Sequence, residues 1–291
     1  MADNIPGVRK VPGGALKLAD DLVLSRMGFG AMQLAGPGVF GPPRDRDQAL
    51  AVLREAVESG ITHIDTSDFY GPAVVNELIK QALYPYPADL HIVTKVGARR
   101  GPDGSWRPSL APEDLQAQVR ENLEHLALDT LDVVNLRLPQ TPENDLAEQF
   151  GTLAELQKEG LIRHLGLSAA SAAQLDWAQA IAPVVTVQNL YNVASRKDDA
   201  LVDRCAAENI AFAPFFPLGG FTPLQSQVLA DVAVRLGASP HQVALAWLLQ
   251  RSPAIVLIPG TSSAVHLREN VAAADLALPP DAVAELDTIG G

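Results

Sequence analysis

Ile61-Thr-His-Ile-Asp65-Thr-Ser-Asp-Phe-Tyr70-Gly71 is a short apolar run that delivers a carboxylate, with a phenol five residues later. The helical pattern before it stops at Gly60, so Asp65 is expected at the carboxyl end of a buried parallel strand and Tyr70 on the loop beyond. In α/β folds that end of the sheet is where chemistry is placed. Leu90-His-Ile-Val-Thr-Lys95 ends the same way, with a lysine. An aspartate, a tyrosine and a lysine meeting at one rim would form a general acid whose pKa is lowered by the neighbouring cation.

Outward from this stretch the chain alternates. Met27-Gly-Phe-Gly-Ala-Met32 reads as a first buried strand. A helix at about 45–59 buries Leu50, Leu53 and Val57 and leads into strand 61–65, and a helix at about 73–83 leads into strand 90–95. Pro112-Glu-Asp114 is a favourable first turn, with proline preorganised and acids matched to the dipole, for a helix that precedes strand 131–137. A helix through Phe150, Leu153 and Leu156 ends at Gly160, before strand 161–167. Helices at about 171–181 and 197–208 precede strands 184–188 and 210–213. Patterns at about 225–236 and 240–251 precede strand 254–258, and a helix at about 263–274 closes the series.

These strands are apolar throughout rather than alternating, as in a parallel sheet covered on both faces. Eight such βα units predict an α/β chain folded as a closed (β/α)8 TIM barrel, one domain over residues 1–291. Pro12-Gly13-Gly14, between two short extended pieces, adds an N-terminal β-hairpin lid. An open doubly wound sheet is the alternative. Gly28-Phe-Gly30 does look like the start of a dinucleotide fingerprint, but position 33 is glutamine and no helix opens there.

The 291 residues contain no Ser/Gly linker, charge block or low-complexity tract. At 47% hydrophobic the chain supports a large core, yet no apolar run approaches the roughly 18 residues that span a membrane. Met1–Lys10 has no apolar segment of a secretory signal. The single cysteine, Cys205, excludes an internal disulfide, fits a reducing cytoplasm and reads as a packing residue. A net charge of −12 argues against nucleic acid or an anionic membrane surface as partner, since both need a positive field. A local cluster could still bind an anionic cofactor.

In a barrel, the strand ends Asp65, Lys95, Arg137, Ser168, Gln188, Phe215-Phe216 and Pro259 face one mouth, a polar rim on apolar walls. A buried carboxylate and a buried ammonium are each costly alone, so Asp65 and Lys95 are expected to pair. His63, His91, His164 and His125 have no metal-like spacing and read as satisfied structural residues, so no metal is expected. Trp106, in the loop Gly101–Ser109, either walls the pocket or covers the barrel.

Asp65-Thr-Ser-x-x-Tyr70-Gly71, Val93-Thr-Lys95, Gly166-Leu-Ser168, Val187-Gln188, Pro217-Leu-Gly219 and Ile258-Pro-Gly260 with Glu269-Asn270 resemble, in order, the motifs of the aldo-keto reductases. Gly30-Ala-Met-Gln-Leu-Ala-Gly-Pro-Gly, Asp132-Val-Val-Asn-Leu-Arg137 and Pro214-Phe-Phe-Pro-Leu-Gly-Gly-Phe-Thr-Pro-Leu-Gln are similar to a bacterial pyridoxal reductase-like branch. The resemblance implies a cytoplasmic oxidoreductase that passes hydride from NADPH to a small-molecule aldehyde, pyridoxal to pyridoxine being the expected vitamin B6 reaction. Tyr70 would be the proton donor, Lys95 would lower its pKa, and Asp65 would hold Lys95. Ser168 and Gln188 would bind the nicotinamide carboxamide, and Phe215 would stack on the ring. Gly30 and Met32 would also bind the cofactor, and Phe216, Leu218 and Gly219 would follow the pyrophosphate. Gly260, Thr261, Ser262, His266, Glu269 and Asn270 would surround the adenosine end, where the first turn of the last helix offers free N–H groups.

Three positions depart from the pattern. Arg137 stands where the family usually has histidine, Ala169 where an asparagine is common, and Gly260 where many members carry a lysine, which leaves His266 or Arg268 as cations for the 2′-phosphate. Arginine cannot donate a proton at neutral pH but presents a fixed fork of donors to an anion. Arg137 is therefore read either as binding the ionised phenol oxygen of pyridoxal and lowering the Tyr70 pKa, or as bridging to an acid such as Asp65. Alternatives for the whole chain are a broad aldehyde or ketone reductase, a Schiff-base aldolase using Lys95, and a non-catalytic NADPH sensor. With Gly291 soon after the last helix, no long C-terminal substrate loop is expected. The oligomeric state is not legible.

Overall fold

The computed structural model describes residues 11–139, 146–220, 224 and 226–290. The readings at Met1–Lys10, at positions 221–223 and 225 of the Pro214–Gln225 motif, and at Gly291 lie outside the described residues. Two antiparallel strands, β1 (Ala15–Ala19) and β2 (Leu22–Ser25), come first. Their turn is Asp20-Asp21, so Pro12-Gly13-Gly14 precedes the hairpin instead of forming its turn. Ser25 and Thr62 exchange two hydrogen bonds, Ser25 N to Thr62 Oγ1 at 3.1 Å and Thr62 N to Ser25 Oγ at 3.0 Å. These contacts put the hairpin at the amino ends of the strands, away from the mouth, where Leu22 and Leu24 pack on Val93, Val133, Ala213 and Val256 inside the barrel.

The barrel strands are β3 (Phe29–Gly30), β4 (His63–Asp65), β5 (His91–Val96), β8 (Leu131–Arg137), β9 (Ile162–Ser168), β10 (Val184–Leu190) and β11 (Ala211–Phe215). A short hairpin of β6 (Ala98–Arg100) and β7 (Trp106–Pro108) follows β5. The seven barrel strands are parallel, in the order β11-β10-β9-β8-β5-β4-β3. The predicted eighth strand forms only isolated bridges, yet it closes the ring. Val256 N donates to Phe212 O (3.0 Å) on one side, and on the other Leu257 N donates to Arg26 O (2.7 Å) and Gly28 N to Leu257 O (2.8 Å).

The helices follow the predicted apolar stripes: α1 (Arg46–Glu58), α2 (Val74–Leu83), α3 (Pro112–Leu126), α4 (Ala147–Lys158), α5 (Ala172–Gln179), α6 (Asp199–Ala207), α7 (Gln227–Leu236), α8 (Pro240–Arg251) and α9 (Ala264–Ala272). α10 (Pro280–Leu286), which the sequence reading missed, packs Ala282 and Leu286 into the core. The starts obey capping chemistry. Ser171 with Gln174 and Ser239 with Gln242 form capping boxes, and Asp45 accepts from Gln48 N at the start of α1. Among the described residues no helix is long and apolar enough to cross a membrane, and no group of three His, Cys, Asp or Glu could hold a metal.

Strand alternation turns one set of side chains into the barrel. Gly166 matters among these because a Cβ there would lie 2.0 Å from Asn135 Oδ1 and 2.1 Å from Thr186 Oγ1. Its bare backbone lets Thr186 donate to Asn135 across β9 at 2.5 Å. Cys205 is fully buried in α6, and burial pushes its thiol up to about 12, as expected of a packing residue.

The histidines are mostly paired, His125 with Asp68 (2.7 Å) and His164 with Asp21 (2.9 Å). His63 departs from the satisfied reading, because its buried Nδ1 has no partner among the described residues. Burial in the apolar wall holds its pKa near 4. In the unfolded chain it takes up a proton near pH 6.5, so the contribution is full above about 6.5 and is lost as pH falls toward 4. Over that window this one group should remove about 3 kcal/mol of stability. Urea unfolding at pH 7 and pH 4.5 for wild type and His63→Leu should show a shallower pH dependence in the variant.

Candidate active site

Strand ends bring the acid–base residues together below the barrel mouth. Asp65 ends β4 and Lys95 lies in β5, their side chains almost fully buried. Lys95 Nζ donates to Asp65 Oδ1 at 2.6 Å and to Thr66 O at 2.9 Å. Gln188 Nε2 in β10 donates to Asp65 Oδ2 at 2.8 Å, so both carboxylate oxygens are engaged. Tyr70 sits one turn past Asp65, with Lys95 Nζ 5.2 Å from its ring centroid.

Lys95 lowers the Tyr70 pKa as expected, but it is not the largest influence on it. Burial dominates and pushes the phenol above its ordinary 10; Lys95 and Arg137 pull it down and Asp65 adds to the rise. The phenol is therefore firmly protonated in the resting site, with Lys95, Asp65 and Arg137 charged around it. For Lys95, burial pushes the pKa down, but Asp65 and Tyr70 outweigh it and the ammonium is held above its ordinary value. A Schiff-base nucleophile needs a neutral amine, which this lysine is not.

A buried network holds the loop that carries Tyr70. Thr66 Oγ1 donates to Asn76 Oδ1 (2.8 Å), and Asn76 Nδ2 donates to Asp68 (3.2 Å) and Asn122 (3.0 Å). Thr94 Oγ1 donates to the same Asn122 oxygen at 2.6 Å, which ties β5, α2 and α3 to that loop.

Above this set lies a cavity of about 440 Å³ bordered by Tyr70, Lys95, Trp106, Arg137, Ser168 and Gln188, with Phe215 and Phe216 on one side. Trp106 is a pocket wall, carried there by the β6–β7 hairpin. Arg137 ends β8 with its guanidinium 5.7 Å from the Phe69 ring and 5.3 Å from the Trp106 ring. It does not bridge to Asp65, whose oxygens are taken by Lys95 and Gln188. Among the described residues Arg137 has no hydrogen-bonded or ion-paired partner, and its pKa is lowered by burial alone against a small opposing effect of Tyr70.

A second cavity, lined by Gly30, Met32, Asp65, Gln188, Phe215, Phe216, Leu218 and Gly260, continues from the first. Ser168 and Gln188 are buried polar groups on apolar walls, and the Ser168 hydroxyl has no partner among the described residues. This is a donor–acceptor pair next to a flat aromatic side, which suits an amide-bearing ring. Phe216, at φ 55°, and Ala169, at φ 61°, hold left-handed backbone at this rim, a conformation that non-glycine residues adopt at some cost. Asn192 Nδ2 donates to Phe216 O at 3.0 Å and helps fix it. Gly219 adjoins this wall.

The residues expected at the adenosine end of the cofactor lie farther out. Ser262 borders a third cavity, whereas Thr261, His266, Glu269 and Asn270 line none of the three. Thr261 Oγ1 accepts from Ser263 N at 3.0 Å, and Ser263 caps α9. Arg268 is forked onto Glu55 at 2.5 and 3.2 Å, which removes it as a free cation. Phe69, Pro108 and Leu138 also line the main cavity and escaped the sequence reading. The turn residues Pro102-Asp103-Gly104 between two short extended pieces were the signal for the hairpin.

A parallel eight-fold βα barrel with a buried Asp–Lys–Tyr set under an aromatic-walled mouth defines a carbonyl-chemistry barrel of the oxidoreductase class. Residues 26–290 match the aldo/keto reductase family, and the chain belongs to it. The chain is 58% identical over 271 residues, 91% of this chain and 95% of the other, to pyridoxine 4-dehydrogenase of Escherichia coli strain K12. It is 40% identical to an uncharacterized oxidoreductase of Schizosaccharomyces pombe, over 95% of this chain and 90% of the other. A thermostable aldo-keto reductase in complex with the inhibitor epalrestat superimposes with a TM-score of 0.82 at 29% identity, over 95% of this chain and 100% of the other. An aldo-keto reductase of Klebsiella pneumoniae in complex with NADPH shares the fold at a TM-score of 0.78 and 24% identity, with 94% of each chain covered.

Removing one partner of a buried ion pair leaves the other charge uncompensated, at about 3–5 kcal/mol. Lys95→Met should therefore lower stability by about that amount in urea unfolding, and Lys95→Met with Asp65→Asn should recover much of it. A loss below 1 kcal/mol would show that the pair contributes little to the fold.

Proposed function

We propose that this chain reduces an aldehyde to an alcohol with NADPH, and that its substrate pair is pyridoxal and pyridoxine. The observation that carries the reading is the Asp65–Lys95–Tyr70 set beneath a cavity bordered by Arg137, whose guanidinium has no partner among the described residues. The 58% identity to a pyridoxine 4-dehydrogenase supports the substrate, since oxidation and reduction are two directions of one equilibrium. A single barrel domain acting in the cytoplasm is part of the same reading, supported by the family match over 26–290 and by one buried thiol.

Bound NADPH supplies the hydride. Ser168 and Gln188 orient the carboxamide of the ring, with Phe215 along its face. Gln188 has its Nε2 engaged with Asp65, so its Oε1 is the atom left to accept from the carboxamide. Tyr70 donates its proton to the carbonyl oxygen as charge develops there, and the Lys95 ammonium, fixed by Asp65, stabilises the resulting phenolate. Arg137 takes the ionised phenol oxygen of pyridoxal, while Phe69 and Trp106 flank the ring. Gly30, Met32, Phe216, Leu218, Gly219, Gly260, Thr261, Ser262, His266, Glu269 and Asn270 are assigned to the rest of the cofactor.

NADPH oxidation with pyridoxal, and with 4-nitrobenzaldehyde for comparison, tests the reading. Tyr70→Phe should lower kcat by about 10²–10⁴-fold while NADPH binding persists. Turnover of the nitroaldehyde alone would make this a general aldehyde reductase, and NADPH binding without turnover would favour the sensor. Arg137→His should shift the preference from pyridoxal toward the nitroaldehyde, and an unchanged ratio would remove Arg137 from substrate recognition.

The phenol sets the pH dependence. Because burial raises the Tyr70 pKa above 10, the donor form is complete below that pH and aldehyde reduction should be level from pH 6 to 9. Alcohol oxidation needs the phenolate, so its rate should climb about tenfold per pH unit over the same range. A reductive rate that falls through pH 7–8 would contradict the assignment.

A further inference from the structure

The third cavity, of about 550 Å³, opens on the far side of the Met32 and Phe216 walls from Tyr70. Met32 and Phe216 border all three cavities, so one groove runs from the acid–base set, past Gly260, to this outer chamber. Its outer wall is the segment between β3 and α1, with Gln33 and Arg44, together with Gln48 in the first turn of α1, and Ser262 also borders it. Gln48 Nε2 donates to Ser262 O at 2.7 Å and joins the two walls.

Resting on the NADPH reading above, we propose that Arg44 is the cation that holds a phosphate of the bound dinucleotide. The molecule's net charge of −12 repels a polyanion, so a local cation must supply the attraction. Among the described residues Arg44 is the only lysine or arginine on the wall of the outer chamber, and it makes no hydrogen bond or ion pair with any of them. Neighbouring arginines are committed elsewhere. Arg268 is forked onto Glu55, Arg46 donates to Gln81 Oε1 at 3.1 and 2.5 Å, and Arg100 is spent on the carbonyls of Gly38, Val39 and Gly104. The adjacent carboxylate, Asp45, is occupied as the α1 cap, where it accepts from Gln48 N at 2.9 Å. Arg100 also braces the 38–39 backbone, so the loop that carries Arg44 has a fixed inner edge. The planar guanidinium fork of an arginine on a fixed loop suits two oxygens of a tetrahedral phosphate, which it can engage through two parallel N–H···O bonds.

Equilibrium titration of dinucleotide fluorescence on the full chain, with NADPH and with NADH, tests this without turnover. Arg44→Gln should raise the NADPH Kd about tenfold at low salt and flatten its salt dependence. Arg204→Gln, a paired arginine elsewhere on the surface, controls for the change in net charge. Weakening with NADPH alone supports a contact to the 2′-phosphate, and weakening with both dinucleotides supports one to the pyrophosphate. A wild-type chain that binds NADPH while Arg44→Gln binds it equally well overturns this inference alone. A wild-type chain that binds neither dinucleotide overturns the cofactor reading and this inference with it.

Discussion

The Asp65–Lys95 pair is the constraint on which the barrel mouth depends. Two opposite charges are removed from water on adjacent strands, and a 2.6 Å contact with additional donors offsets that cost. Asp65 accepts from Gln188 and Lys95 donates to Thr66 O, so β4, β5, β10 and the loop after β4 are fixed relative to one another through two side chains. A shift of one strand by a residue would turn its member of the pair into the helix layer and leave the other unpaired. Register and chemistry are in that sense set by the same bonds.

Behind the pair the loop from Thr66 to Tyr70 has its own support. Asn76 and Asn122 sit on helices yet turn their amides into a buried network with Thr66, Thr94 and Asp68, and His125 completes it at Asp68. Burial raises the Asp68 pKa while His125 opposes the rise, so this carboxylate depends on its partners to stay charged. Such networks hold one loop geometry when every member is satisfied. The phenol of Tyr70 thus rests on polar groups, not only on the apolar packing of Phe69.

Most of this was legible from periodicity. The apolar runs at 131–137 and 184–188 and the helix beginning at Pro112 could be read because a strand covered on both faces and a helix with one buried stripe have distinct patterns. Three features were less legible. The β1–β2 turn is Asp20-Asp21, and the more conspicuous Pro-Gly-Gly turn signal lies just before the hairpin. The eighth strand is short and interrupted, and it is defined by what it bridges more than by its own pattern. In the β6–β7 hairpin β7 is exposed along its length and β6 buries only Ala98, and the two strands carry three arginines, so no hydrophobic period marks it. Asp65, Lys95 and Tyr70 were readable because a strand-end position limits where a side chain can point. That Arg137 has no partner among the described residues was not, since an arginine's partner depends on which acids the fold leaves uncommitted.

Burial and charge act on Tyr70 in opposite directions, and the balance explains why the cations surround it. A phenol sealed under Phe69 and the strand ends resists ionisation, which keeps the proton in place before substrate arrives. The same low-dielectric setting strengthens any favourable charge placed nearby once negative charge develops on the phenol oxygen. Lys95 is held charged by Asp65, and Arg137 is charged with no partner among the described residues, so in the proposed mechanism both are in position before the proton moves. Preorganised cations need no reorientation at the moment of transfer, whereas water would. A lysine without Asp65 would be pushed toward neutrality by the same burial, and in the proposed mechanism the Tyr70 phenolate would lose its stabilising cation together with the fold's central ion pair.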